Sequence, residues 1–465
     1  MKFNTRTALT LSALAPLASA LLPIIEQQQQ QQPLLSNPET SNTVTENDIP
    51  SYRVPLLSLH RTLVNTPSIS GTEGQVALDL KKLLIDLDFT VQLQRVPPAA
   101  RIHDDDNDDD NDDDDESPQY RYNVLAWPGR HATPTFHNRT LITSHIDVVP
   151  PFLPYAINGS PVPPSEPLDF TSLSSDTLIS GRGSVDAKGS VAAQITATKE
   201  LLENGELDPA SVVLLYVVGE EISGDGMKFF SSFLANQTTS SSLSNTPPRL
   251  HAAIFGEPTT NLLACGHKGI ASALLTATGK AGHSGYPWLG RSATALLVRA
   301  LDRLLQADLG SSERYGNTTV NVGVVQGGVA ANVIAKEAWA RMAVRIAVGG
   351  RKSGRGILEG EMKRVVREVL EEEGVGKGKE DDGGLELVVG HGYGPVECEC
   401  DVEGFGTMVA NYGTDVPNLE GEHTNYLYGP GTILVAHGDN EGLTIQDLEE
   451  AVEGYKRLIK HAVGA

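Results

Sequence analysis

The residues of this chain that could do chemistry sit just after short apolar runs. His145 and Asp147 follow Thr140–Ser144, Glu220 and Glu221 follow Val212–Val218, Glu257 follows Ala252–Phe255, and His437 follows Thr432–Ala436. Asp186 lies in a Gly-rich loop, Gly181-Arg182-Gly183-Ser184-Val185-Asp186, ahead of a helical stretch. One histidine or glutamate at a strand end is ordinarily a loop residue. Several strand ends carrying ligand types together point instead to a shared crevice, because the carboxyl ends of parallel strands line the binding cleft of an open sheet. Two divalent ions roughly 3.5–4 Å apart need imidazoles and carboxylates, one of them bridging. His145, His437, Asp147, Asp186, Glu220, Glu221 and Glu257 supply two imidazoles and three ligating carboxylates, with an Asp and a Glu left over. Nitrogen and oxygen ligands without cysteine suit zinc, and cobalt or manganese would also fit. Glu220 and Glu221 are adjacent and point apart, so one can bind metal while the other takes the proton of an activated water. Asp147 can orient the His145 ring. A Gly-rich loop before a helix can also bind phosphate, but Asp186 within it would oppose an anion.

The elements that must position these groups read as a mixed α/β fold. The four apolar runs are rich in Val, Ile and Leu and lack alternation, as strands buried on both faces of a mostly parallel sheet do. Helices are expected at Leu56–Val64, Gln75–Leu87, Ser190–Glu203 and Ile445–Val463, flanking that sheet in three layers. A second unit interrupts the first. It reads strand Ile270–Gly279, helix Ala293–Gln306, strands Thr319–Val325 and Ala338–Ile346, helix Ile357–Glu373 and strand Leu385–Val389, an α+β sandwich. The expected organisation is a catalytic domain over 51–265 and 396–465, with the second unit inserted over 266–395.

The first 20 residues have the three parts of a secretory signal: Lys2 and Arg6, the apolar stretch Ala8–Leu17, and Ala18-Ser19-Ala20 as a cleavage site. Residues 21–50, with the tract Gln27–Gln32, read as a disordered leader. Asn138, Asn158, Asn236 and Asn317 are glycosylation sequons, which matter only if the chain is secreted. Three cysteines, Cys265, Cys398 and Cys400, leave at least one thiol over and exclude a disulfide framework. The net charge is −23, and eleven acidic residues lie between Asp104 and Glu116. That run repels itself and reads as a disordered insertion over 103–117. So acidic a chain is not expected to bind nucleic acid, and no apolar stretch is long enough to span a membrane.

With these residues in place the chain resembles the M20 metallopeptidases, a family that includes carboxypeptidases, acetylornithine deacetylases, succinyl-diaminopimelate desuccinylases and aminoacylases. The segments that carry the resemblance are Ser144–Pro150, Gly181–Gly189, Gly219-Glu220-Glu221, Gly256-Glu257-Pro258, Gly282-His283-Ser284-Gly285, Asn332-Val333-Ile334 and His437. Their order and spacing agree from about Val54 to Val463. The resemblance implies a di-zinc exopeptidase-like fold with a ferredoxin-like lid or dimerisation domain. It implies that His145 and Glu257 hold one ion, that Glu221 and His437 hold the other, and that Asp186 bridges them. Glu220 would be the general base and Asp147 would orient His145. His283 would stabilise the oxyanion, in dimeric relatives across to the partner's site, and Asn332 and Arg345 would bind the substrate carboxylate. A homodimer is thus an expected assembly.

The chain departs from the family pattern at Gln27–Gln32 and in the acidic insertion. Ala335 stands where a proline is usual, and Val344 where an acidic residue precedes the arginine. The expected activity is a secreted, extracellular zinc carboxypeptidase acting on peptides, since deacylases of this family normally work inside cells. The alternative is a deacylase of N-acyl amino acids using the same metal chemistry. A silent binding protein on the same scaffold would be marked by loss of the base or a ligand, and none is lost.

Overall fold

A computed structural model describes residues 49–97, 120–129, 136–237, 249–375 and 383–464. The expected signal, nearly all of the expected leader and the acidic insertion lie outside these residues. Helices α1 (Arg53–Asn65) and α2 (Gly74–Asp86) come first, followed by β1 (Phe89–Val96), β2 (Arg121–Pro128) and β3 (Thr140–His145). Then come α3 (Lys188–Glu203), β4 (Val212–Val217), α4 (Asp225–Ala235), β5 (Ala252–Gly256) and β6 (Leu263–His267). An inserted run follows: β7 (Gly269–Thr278), α5 (Ala293–Gln306), β8 (Thr319–Gly327), β9 (Glu337–Ile346), α6 (Gly354–Glu372) and β10 (Gly384–Tyr393). The chain returns through β11 (Val396–Glu397), β12 (Thr407–Ala410), β13 (Thr424–Tyr428) and α7 (Ile445–Val463).

The main sheet has the order β1-β2-β4-β3-β5-β13. Its strands β4, β3, β5 and β13 are parallel, and β1 and β2 join antiparallel at one edge. Every residue of β3, β4 and β5 is buried, as their unbroken apolar sequences require. Alternate residues feed two cores. Ile142, Leu214, Tyr216 and Ile254 pack with α1, α2, α3 and α7, while Leu141, Val213, Leu215 and Phe255 pack with α4. These are the three layers expected from the sequence.

One expected strand is corrected. Thr432–Ala436 is not extended; Ile433–Val435 forms a 3-10 turn, and the sixth strand of the sheet is β13 at Thr424–Tyr428. Gly429, Pro430 and Gly431 separate the two, and Leu434 in the turn is 82% exposed, which a buried strand would not allow. β1 and β2 are not among the expected strands, because their mixed polar sequences flank the acidic insertion.

The inserted run builds a four-stranded antiparallel sheet, β8-β9-β7-β10, with α5 and α6 on one face around a separate apolar core. Alternation in β7 and β9 produces that one-sided burial. Both crossings into this unit are tied together. β6 pairs with β11, and Cys265 forms a disulfide with Cys400 across a sequence separation of 135. Cys398 is the buried free thiol. A bridge over so long a loop removes on the order of 3–5 kcal/mol of unfolded-chain entropy. Cys400→Ser is therefore expected to lower the urea midpoint, read against wild type by circular dichroism. An unchanged midpoint would deny the bridge a stabilising part.

Candidate metal centre

β4, β3 and β5 lie side by side and parallel, so their carboxyl ends deliver Glu220 and Glu221, His145, and Glu257 to one rim. Asp186 arrives from the loop that leads into α3. His437 arrives from the loop after the 3-10 turn, with φ of 64°, a left-handed conformation uncommon for a residue with a Cβ.

The groups converge closely. His145, Asp186 and Glu221 each offer a ligand atom, and these atoms all lie within 4.8 Å of one another. Asp186 Oδ1 is 3.0 Å from His145 Nε2, and Asp186 Oδ2 is 3.4 Å from His437 Nε2. Glu221 Oε2 lies 3.0 Å from the same His437 nitrogen. One carboxylate thus touches both imidazoles. Glu257 is buried beside His145 and Glu220 around a cavity of about 10 Å³, which Asp415 also lines. That volume admits about one water.

The Glu220-Glu221 turn is held from behind. Asp147 accepts from the Glu220 and Glu221 amides at 3.1 and 3.2 Å, and from Ser70 Oγ at 2.7 Å. Its carbonyl, at 3.0 Å, is the nearer Asp147 partner of His145 Nδ1; its carboxylate is at 3.6 Å. Gly219 has φ of 72°, and a Cβ there would meet Asp225 Oδ1 at 1.9 Å, so both conformation and space require glycine. Arg121 fixes Asp225 with a fork of 2.7 and 3.0 Å and reaches Glu73 at 2.9 Å. Asn123 bonds the Val218 amide and the Gly226 carbonyl. Sequence reasoning missed Ser70, Glu73, Arg121, Asn123, Asp225 and Asp415. They sit in segments with no chemical pattern, and only pairing of β2 with β4 brings Arg121 and Asn123 to the site.

The electrostatics suit a cation. Burial would raise Asp186, but His145 and His437 hold it well below the usual carboxylate range. Hydrogen bonds to Asp186 and Glu221 push His437 up to about 10. Burial raises Glu220 and Glu257, and each feels further negative charge, Glu220 from Glu257 and Glu257 from Asp186. Burial would lower His145, yet hydrogen bonds to Asp147 and Asp186 lift it well above an ordinary imidazole. Glu221 Oε1 is buried and has no hydrogen-bond partner among the described residues. A divalent cation can replace these protons and pair that oxygen, so the donor set fits metal.

The other expected site residues divide. Arg345, half-buried on β9, has no hydrogen bond or ion pair among the described residues. It lies near the Tyr393 hydroxyl, which also feels Glu220 and Asp415. His283 and Asn332 are exposed on the inserted unit, where Gly282–His283 pairs with Val333–Ile334. Among the described residues neither makes a hydrogen bond or ion pair to the groups of the candidate metal centre. All four sequon asparagines are exposed. No helix among the described residues is long and apolar enough to cross a membrane.

Comparison with known proteins gives a consistent picture. The description "peptidase dimerisation domain" matches residues 265–371. A peptidase M20 domain-containing protein of Sordaria macrospora is 52% identical over 433 residues, 91% of this chain and 88% of that protein. A protein of Aspergillus oryzae named as a probable carboxypeptidase is 42% identical, covering 93% of each. Among solved structures, a dinuclear metal binding peptidase from the M20 family of Bacillus subtilis superposes with a TM-score of 0.57 at 14% identity, covering 89% of this chain and 98% of that one.

Proposed function

The chain belongs to the peptidase M20 family of metallopeptidases, and from that premise we propose that it is a secreted carboxypeptidase with a two-metal centre. The observation that carries this reading is the approach of Asp186 to both His145 and His437 while Glu221 meets His437. His145 and Glu257 would hold one ion, Glu221 and His437 the other, with Asp186 bridging. Zinc suits these ligands, with cobalt or manganese as alternatives. When bound, the ions acidify a shared water and polarise the scissile carbonyl.

The remaining steps belong to side chains. Glu220 accepts the proton of the attacking water and hands it to the leaving nitrogen. Asp147 holds the Glu220-Glu221 turn and the His145 ring. His283, on the exposed strip of the inserted unit, donates to the developing oxyanion in the partner of a homodimer. Apolar residues on that unit, Trp288 at 74% and Val329 at 87% exposure, support such a contact. Arg345 and Asn332 receive the substrate carboxylate; the Arg345 guanidinium, unpaired among the described residues, supports this role. The catalytic domain spans 51–265 and 396–465, and 266–395 forms the lid and dimerisation domain. The Cys265–Cys400 bridge and the four exposed sequon asparagines support an oxidising, extracellular setting with glycosylation.

The test is a substrate screen on metal-loaded protein, comparing release from carboxyl ends, from amino ends and from N-acyl amino acids. Carboxyl-end release is expected. Robust deacylation without peptide cleavage would replace this reading with the deacylase. Arg345→Met is expected to raise KM for peptides with a free carboxylate by roughly 10–100-fold, the worth of a charge-assisted hydrogen bond. An equal effect on carboxyl-amidated peptides would remove Arg345 from that role.

A further inference from the structure

A buried ion pair outside the proposed ligand set joins the two segments that carry Asp186 and His437. Arg182 and Glu441 are each 1% exposed, and Arg182 Nη1 lies 2.7 Å from Glu441 Oε2. The other carboxylate oxygen of Glu441 accepts from the backbone amides of Val185 and Asp186, both at 3.1 Å. Its carbonyl accepts from the Gly181 amide at 3.1 Å and the Ser184 hydroxyl at 3.3 Å. Arg182 donates to the carbonyls of His437 at 3.3 Å and Gly438 at 3.2 Å, and to that of Pro151 at 3.2 Å.

The pair therefore grips the Asp186 backbone with one member and the His437 backbone with the other. His437 needs such a grip. Its backbone is left-handed and its side chain is 52% exposed, so packing does little to fix it. A strained backbone persists only where its surroundings over-determine it. A buried ion pair is seldom more stabilising than apolar residues of the same shape. What it supplies here, and apolar groups cannot, is directed bonds to five backbone groups, four of them in the two segments that carry Asp186 and His437.

We infer that Arg182 and Glu441 are positioning residues that set the separation of Asp186 and His437, and through it the affinity of the ion on the His437 side. The inference rests on the proposed two-metal reading. The test uses Arg182→Met/Glu441→Gln in the full-length protein. The side-chain carbonyl that Glu441→Gln introduces can still accept from the Val185 and Asp186 amides, and no buried charge is left unpaired. Zinc is titrated into metal-stripped protein against a competing chelator, well below the melting temperature of each variant. Wild type is expected to take up two ions. The double variant is expected to bind one of them about 10–100-fold more weakly, the usual cost of losing an outer partner of a ligand. The other should shift less than about 3-fold. Arg182→Lys keeps a positive charge beside Glu441 but cannot fork to the carbonyls, and should fall between. In a His437→Ala background the double variant should cost no further affinity, since Glu441→Gln preserves the bond to the Asp186 amide and the other ligand that the pair positions is gone.

A merely structural pair would lower the melting temperature and leave this selectivity absent. Two wild-type affinities in the double variant, or an equal fall in both, overturns the inference alone. A wild-type chain that takes up fewer than two ions overturns the two-metal reading and the inference with it.

Discussion

Glu220→Gln is expected to keep both metal ions and to turn over peptide about 10²–10⁴ times more slowly, the usual contribution of a positioned general base. The adjacent glutamates have separate surroundings. Glu221 is engaged with His437 at 3.0 Å, whereas Glu220 lines the small cavity with His145, Glu257 and Asp415. Burial, then the charge of Glu257, raises the Glu220 carboxyl well above its ordinary value. A carboxylate with raised basicity takes a proton readily and releases it to a leaving amine. Glutamine keeps the shape and the backbone amide that Asp147 holds at 3.1 Å, but cannot accept the proton. Metal content by atomic emission and steady-state kinetics on the same preparation check this. Wild-type-like kcat would remove Glu220 from the role of base. A variant that has lost metal would instead make Glu220 a ligand.

Much of this site can be read in the sequence because most of its proposed ligands and the proposed base follow punctuated apolar strands. β3, β4 and β5 announce themselves by unbroken burial, and the residue after each strand lands on the rim by topology alone. The helix expected at Ile445–Val463 has those bounds in the structure, where a Thr444–Asp447 capping box starts it. The segment before His437 misleads because Thr432–Ala436 has strand composition while its exposure is that of a turn. Composition reports what a residue prefers, not whether a sheet position remains for it; β13 already holds that place. The supporting shell is not legible either. Arg121, Asn123 and Asp225 act through hydrogen bonds between segments about 100 residues apart, as in the 104-residue separation of Arg121 and Asp225, and such contacts leave no local pattern. The disulfide is open in the sequence for the same reason: three cysteines permit several pairings, and although the β6–β11 register leads on to Cys398, whose amide bonds the Cys265 carbonyl, it is Cys400 that bonds the Cys265 sulfur.

Asp186→Ala is expected to lose both ions, where Glu257→Ala loses one. The difference follows from contact geometry. The two Asp186 oxygens face different histidines, 3.0 Å to His145 Nε2 and 3.4 Å to His437 Nε2, so removing the carboxylate subtracts a ligand from each side at once. It also subtracts the negative charge that helps lift both imidazoles. Removal of Asp186 takes away no positive group: Glu221 retains His437, and Glu257 retains the field of His145. Glu257, by contrast, makes no hydrogen bond or ion pair to His437 among the described residues, so its loss should spare the ion on that side. Because ligand imidazoles must shed protons before they bind metal, uptake in every variant should weaken as pH falls. Dialysis against metal-free buffer followed by metal analysis gives the stoichiometry. Asp186→Ala should retain essentially none and show background turnover, and Glu257→Ala should retain one ion per chain. Two ions retained by Asp186→Ala would refute the bridge. One ion retained by both variants would give Asp186 the standing of a ligand to one side only.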